Sequence, residues 1–370
     1  MVKEISVPLF EVIDLDIPNR KIEHLRLCAE KDVESSSSGF DDIRLVNKAL
    51  PEIHMEKIDL STVFLGKHFK APIMIASMTG GHPETKNVNE ALAGAAEELC
   101  IGIGVGSQRA ALEDPKQEDS FRVVRDVAPN TFIYANIGAA QLKEYGISEI
   151  ERAIEMVDAD ALSIHLNFLQ EAIQLEGGVD ARNCIKAIRA ICDEVSVPVI
   201  VKETGAGISH AVAVALKEAG AAAIDVGGLG GTSWAGVEAY RARAEGDKIS
   251  EHLGKLFWNW GIPTAISIVE SSVGVPIIAT GGIRNGIHMA KCITLGASLC
   301  GVALPLVGPA LKGKQEVVDT LKRMMEELKV AMFLMGCTFI KDLGNAQLII
   351  TGETRESLEQ RGFNTARFSR

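Results

Sequence analysis

The chain has 370 residues, a formal net charge of −11, 47% apolar residues and only 5% aromatic ones. That acidic balance argues against a dedicated nucleic-acid or anionic-membrane binder, and it leaves room for an anionic small substrate only where basic side chains gather locally. Seven cysteines (Cys28, Cys100, Cys184, Cys192, Cys292, Cys300 and Cys337) stand singly. They read mostly as small core residues, with no disulfide framework, as expected of a protein in a reducing cytoplasm.

In chain order, the opening MVKEISVPLF lacks a secretory apolar stretch, and no run reaches the roughly 18 apolar residues of a membrane span. Residues 20–33 (RKIEHLRLCAEKDV) predict an amphipathic helix on which Arg20 and His24 share a face, with Lys21 alongside. The SSSSG at 35–39 predicts a flexible hinge. These segments form an N-terminal extension, 1–60, ahead of one barrel domain, 61–370. Short apolar runs then recur at 72–76, 101–105, 131–135, 161–164, 197–201, 222–226, 275–279 and 298–303. Helical patterns separate them at 89–99, 118–127, 148–157, 183–194, 210–219 and 287–295, with one more at 317–332 after the last run. Eight strand–helix units predict a closed (β/α)8 barrel of parallel strands. Residues 234–262 are too many for a simple connection and predict a loop with an embedded helix over the barrel mouth. Apolar positions at 330–335 are candidates for a subunit interface.

Chemistry in such a barrel sits at the carboxyl ends of the strands, and here each run ends in polar residues or glycine. In order these are Ser77-Met78-Thr79-Gly80-Gly81, Gly106-Ser107-Gln108-Arg109, Asn136, His165-Leu166-Asn167 with Gln170-Glu171, Lys202-Glu203, 227–232, Gly281-Gly282-Ile283-Arg284, and Ala303-Leu304. TGGIRNG at 280–286 runs into a helix start, so its backbone amides and Arg284 predict an anion cradle completed by the turn after strand eight, the alternative being a pair of ordinary tight turns. GIGVGS and GGLGGT are not GxGxxG, so no two-half dinucleotide fold is expected. Lys202 ends an apolar strand and needs an anionic partner: it pairs with Glu203 or Asp225 in the protein, serves as a Schiff-base lysine, or neutralises an anionic cofactor ring. Within HLNFLQE, Glu171 is either a ligand for a hard cation completed by phosphate oxygens or a cap for backbone amides.

Taken together, RKIEH, MTGG, GVGSQR, HLNxLQE, VKETGAG, GGLGGTSW, NWGIPTAIS and GGIRNG resemble the type 2 isopentenyl diphosphate isomerase family, from about residue 20 to about 361. The resemblance implies an FMN enzyme that interconverts isopentenyl and dimethylallyl diphosphate. It further implies Mg2+, NADPH priming, the reduced flavin as acid and base, and a homotetramer or homo-octamer. Carried over by motif, FMN meets Ser77, Met78, Thr79, Ser107, Asn136, Lys202 and Thr232, with its phosphate at Gly282, Ile283, Arg284, Ala303 and Leu304. The diphosphate meets Arg20, Lys21, His24, Ser107, Gln108, Arg109, His165 and Asn167. Gln170 stands beside the alkene, Glu171 ligates Mg2+, and Glu238 is a further acidic residue near the flavin, so that Gln170, His165 and Glu238 form the catalytic group. Phe168, Leu175, Gly178 and His288 depart from the family pattern, and Phe168 and Leu175 flank Gln170-Glu171 where they could reshape the prenyl pocket. Two other readings compete. An FMN oxidoreductase would want a His-Gly-Gly-Arg base motif, where TGGIR stands here, or a cysteine nucleophile beside these motifs. A non-catalytic flavin- or prenyl-phosphate-binding relative would not need Gln170, Glu171 and His165.

Overall fold

The computed structural model describes residues 17–174 and 177–369. The opening segment and Leu175 lie outside the described residues. Eight strands close into a parallel barrel: β1 Ile73–Ile75, β2 Gly102–Gly104, β3 Ile133–Gly138, β4 Ala161–Leu166, β5 Val199–Glu203, β6 Ala223–Asp225, β7 Ile277–Ala279 and β8 Leu299–Val302, with β8 pairing back onto β1. All eight expected strands are present. Their Val, Ile and Ala content suits a sheet buried on both faces, packed against helices outside and against itself within.

Alternation along the strands sorts the interior into layers. Met74, Tyr134, Ala161, Ile200, Ala223, Ile278 and Leu299 form a lower apolar cluster with Phe132. A hairpin, Thr62–Phe64 paired with Lys67–Phe69, plugs the barrel floor by adding Phe64 and Phe69 to that cluster. Two residues further along, the interior turns polar at five of the strands, with Asn136, Ser163, Lys202, Asp225 and, just past the end of β7, Thr280, all buried. Chemistry therefore begins one layer above a dry floor.

Three expectations change on the structure. The 35–39 segment is a fastened strap: the Ser35 amide and hydroxyl donate to the Gly231 carbonyl at 2.8 and 3.0 Å, and the Ser35 hydroxyl accepts from the Gly230 amide at 2.8 Å. The low-complexity composition concealed side-chain hydroxyls that have backbone partners. The stretch after β6 carries two helices, Trp234–Glu245 and Lys248–Leu256, before the barrel helix Thr264–Glu270. Only Cys292, Cys300 and Cys337 among the cysteines are fully buried. Residues 43–45 pair with 348–350, which stitches the extension to the end of the chain. At 330–335, Val330 and Leu334 are exposed while Met332 and Met335 are buried. Among the described residues no helix is long and apolar enough to cross a membrane.

Candidate active site

One deep cleft of about 1560 Å³, counted out to its open mouth, occupies the carboxyl end of the barrel. Its base is the polar layer. Lys202 lines the cleft from β5, donates to the Glu203 carbonyl at 2.8 Å and sits 3.7 Å from Asp225 on β6. Lys202 thus has the protein partners anticipated for it and still faces the cleft. The cradle follows β7 and packs on the loop after β6. Gly281 and Gly282 have φ of 106° and 72°, and a Cβ on Gly281 would stand 2.1 Å from the Gly228 carbonyl oxygen, so only glycine fits. Asn285 caps the helix Gly286–Leu295 by accepting from the His288 amide at 2.8 Å. Ile283, Arg284, Ala303 and Leu304 line the same region, Leu304 opening the helix Leu304–Lys312. Arg284 pairs with Glu34 of the strap at 2.9 Å.

His165 rises from β4 with Nδ1 2.9 Å from Asn136 Oδ1. Asn136 Nδ2 donates to the Val105 carbonyl at 3.1 Å, which turns its oxygen towards the ring and assigns the proton to Nδ1. Burial, then the charges of Lys202 and Lys21, push His165 down to about 3. The imidazole is neutral and offers the cleft an acceptor, Nε2. After β4 the helix Phe168–Ile173 carries Gln170 and Glu171 into the cleft wall. Glu171 accepts from Asn167 Nδ2 at 2.9 Å, Gln174 Nε2 at 2.8 Å and the Gly178 amide at 2.6 Å. It holds its own loop in place, as an amide cap does, while lining the cleft. Phe168 packs into the outer core and does not line the cleft, so it does not reshape the pocket directly.

The lid helices meet at one carboxylate. Glu238, buried on Trp234–Glu245, accepts from Gln170 Nε2 at 2.8 Å and Arg241 Nη1 at 2.7 Å, and its Oε1 lies 3.0 Å from His24 Nε2 on the N-terminal helix Ile17–Glu30. Burial alone would raise its pKa. The bond and charge of His24, then Arg241 and Gln170, outweigh burial and hold it down at about 2. Glu238 itself lies just behind the lining residues, which include His24, Gln170 and Trp234. Arg20, Lys21 and Arg109 form a basic rim, with the neutral Ser107 also lining the cleft. Burial, then the charges of Arg20 and Arg109, bring Lys21 down to about 7. That is the local cation cluster a net-acidic protein needs for an anion.

The cleft thus collects Ser77, Met78, Thr79, Asn167 and Thr232 with the groups above. Besides Glu238, set just behind the wall, the expected residue that does not line the cleft is Gln108. Its carboxamide accepts from the Asn136 amide at 2.8 Å and donates to the Ala153 carbonyl at 2.8 Å, fully buried and away from the cleft. A motif cannot report which way one side chain in a polar run turns. Several lining residues escaped the sequence, namely Leu25, Cys28, Gln141, Gln174, Trp234 and Val307. Arg241 escaped as well, although its i+3 spacing from Glu238 was available as a signal. Cys28 is no poised nucleophile, because burial pushes its thiol up to about 12.

Over residues 16–132 and 147–350 the chain matches the family described as FMN-dependent dehydrogenase. It is 62% identical to the isopentenyl-diphosphate delta-isomerase of Methanosarcina mazei over 347 residues, which are 93% of this chain and 95% of that one. The chain belongs to the isopentenyl-diphosphate delta-isomerase family. The relative so named in Archaeoglobus fulgidus is 50% identical over 343 residues, 93% of this chain and 99% of its own. The barrel is similar in fold to a flavocytochrome b2 variant, with a TM-score of 0.65 at 15% identity over 92% of this chain and 88% of that one. A mandelate oxidase variant matches with a TM-score of 0.61 at 17% identity over 89% and 96%.

The residues fit the flavin mononucleotide of this family. Ser77 Oγ and Thr79 Oγ1 are buried with no protein partner, beside the glycine cradle and a helix start suited to a phosphate. The fit to a divalent cation is narrower. Among the described residues no group of three or more His, Cys, Asp or Glu could hold a metal. Glu171 supplies one carboxylate, sufficient for Mg2+ only when phosphate oxygens and water complete the shell.

Proposed function

We propose that the protein interconverts isopentenyl diphosphate and dimethylallyl diphosphate without net redox change, in the cytoplasm, using FMN primed by NADPH and a Mg2+ ion. The observation that carries this reading is the clasp at Glu238, which fixes Gln170 in the wall of the same cleft that Arg20, Lys21, Arg109 and the glycine cradle line. Bound and reduced, the flavin supplies the proton donor and acceptor for the allylic shift. The protein's own groups do the rest. Arg20, Lys21, Arg109, Ser107 and Asn167 line the cleft and would bind the diphosphate, and Glu171 would supply the carboxylate for Mg2+. His165 presents a bare Nε2, suited to accept a proton from diphosphate or water, which separates its role from that of the cationic rim. Committing Gln170 Nε2 to Glu238 leaves Oε1 as the polar atom it offers to the reacting carbons. The two lid elements exclude water, which strengthens every electrostatic interaction within. For the oxidoreductase reading, Thr280 stands where a base histidine would precede Gly281-Gly282. The family's tetramer or octamer would draw on Val330 and Leu334, and light scattering that finds only monomer rejects it.

Gln170→Ala tests the assignment. Turnover should fall roughly 100-fold or more, the scale of losing a group that positions the reacting atoms, while FMN binding stays unchanged. Normal turnover in that variant removes Gln170 from the chemistry.

A further inference from the structure

Lys202 and Asp225 are register partners on β5 and β6, both directed into the barrel, and both are almost wholly buried at 6% and 1% exposure. The carboxylate is built into the wall. Thr280 Oγ1 on the next strand donates to Asp225 Oδ1, and the Gly227 amide approaches the same oxygen at 3.3 Å. The Gly227 amide also donates to Thr280 Oγ1 at 2.9 Å, which orients the hydroxyl towards Asp225. Oδ2 is left for Lys202, 3.7 Å away. The ammonium donates to the Glu203 carbonyl and lines the cleft, whereas Asp225 does not. A buried pair of this kind, with one member facing the ligand and the other sealed behind it, sets how much positive charge the ligand feels.

We propose that Asp225 is a positioning and charge-offsetting residue, which aims Lys202 at the flavin and partly cancels the lysine's charge there, so that the pair sets the reduction potential of the bound cofactor. The inference rests on the flavin occupying this cleft as proposed above. Reduction adds negative charge to the ring system, so an uncompensated cation beside it raises the potential and a nearby anion lowers it. Thr280 and Gly227 keep Asp225 from swinging into the cleft, and Tyr134, whose hydroxyl accepts from the Ser77 amide at 3.3 Å, closes the layer beneath.

The test is spectroelectrochemical titration of the FMN-loaded protein in four forms. Asp225→Asn should shift the flavin potential positive of the unsubstituted protein, and Lys202→Met should shift it negative. The double variant carries neither charge and should lie between those two. It is also the form most tolerant of folding, because replacing both members of a buried pair avoids leaving one charge alone. A purely structural aspartate would lower thermal stability and leave the potential where it was. An unchanged potential in Asp225→Asn alongside a negative shift in Lys202→Met overturns the inference. Where Asp225→Asn does not fold, equal potentials in the double variant and in Lys202→Met overturn it too. No shift in Lys202→Met overturns it along with the flavin placement itself.

Discussion

At the scale of single residues, Lys21 gives the most direct handle on the proposed anion site. Its pKa lies near 7 in the protein without ligand, through burial and the neighbouring charges of Arg20 and Arg109. A bound diphosphate favours the ammonium and raises that value, so affinity should fall as pH rises above about 7, where the ligand must first restore a proton. Lys21→Arg keeps its charge throughout. The ratio of wild-type to Lys21→Arg Kd for inorganic pyrophosphate should therefore rise roughly tenfold between about pH 7 and 8.5, as proton linkage for one group requires. A flat ratio in calorimetry removes Lys21 from the site. Residue types were largely legible in the sequence, and side-chain direction was not. Asn136, His165, Lys202 and Glu171 all reach the cleft as expected, whereas Gln108 turns back to brace Asn136 from behind. Glu238 came from the resemblance alone, since nothing in EAYRARAEGDK tells a buried carboxylate from a solvated one.

At the scale of elements, the lids depend on the Glu238 cluster. Arg241 links Glu238 to Glu23 of the N-terminal helix, with distances of 2.7 and 3.0 Å. Arg241→Met leaves Glu238 buried without its guanidinium, and about 3 kcal/mol of unfolding free energy should be lost in urea titrations. Adding Glu238→Gln should restore part of that loss, and a larger loss in the double variant would contradict the charge argument. The cradle makes its own prediction. Gly281→Ala forces a Cβ against the Gly228 carbonyl at a positive φ, a strain of about 1–3 kcal/mol. FMN affinity by fluorescence titration should weaken roughly 10- to 100-fold on that strain, and unchanged affinity means that the phosphate sits elsewhere. The strands and most helices were legible because apolar runs and 3.6-residue periods are local signals. The strap at 35–39 was not, because the partners of Ser35 lie nearly 200 residues away on the loop after β6. The second lid helix was missed because its cap, Asp247 accepting from the Ile249 and Ser250 amides, sits inside a charge-rich run that reads as loop.

At the scale of the whole molecule, a closed barrel gathers strand ends from 77 to 304 around one cleft, and two elements outside the βα period close over it. In a protein of net charge −11 one cleft still gathers Arg20, Lys21, Arg109, Lys202 and Arg284, so anion binding is a local property that composition hides. The same barrel serves oxidases of low identity, so fold alone does not separate isomerisation from redox chemistry. The deciding measurement is an anaerobic assay of the purified protein with isopentenyl diphosphate, FMN, NADPH and Mg2+, counting dimethylallyl diphosphate formed against NADPH consumed. The account predicts many turnovers of product for each NADPH used. NADPH loss in step with product, or no product from flavin-loaded protein, would contradict it.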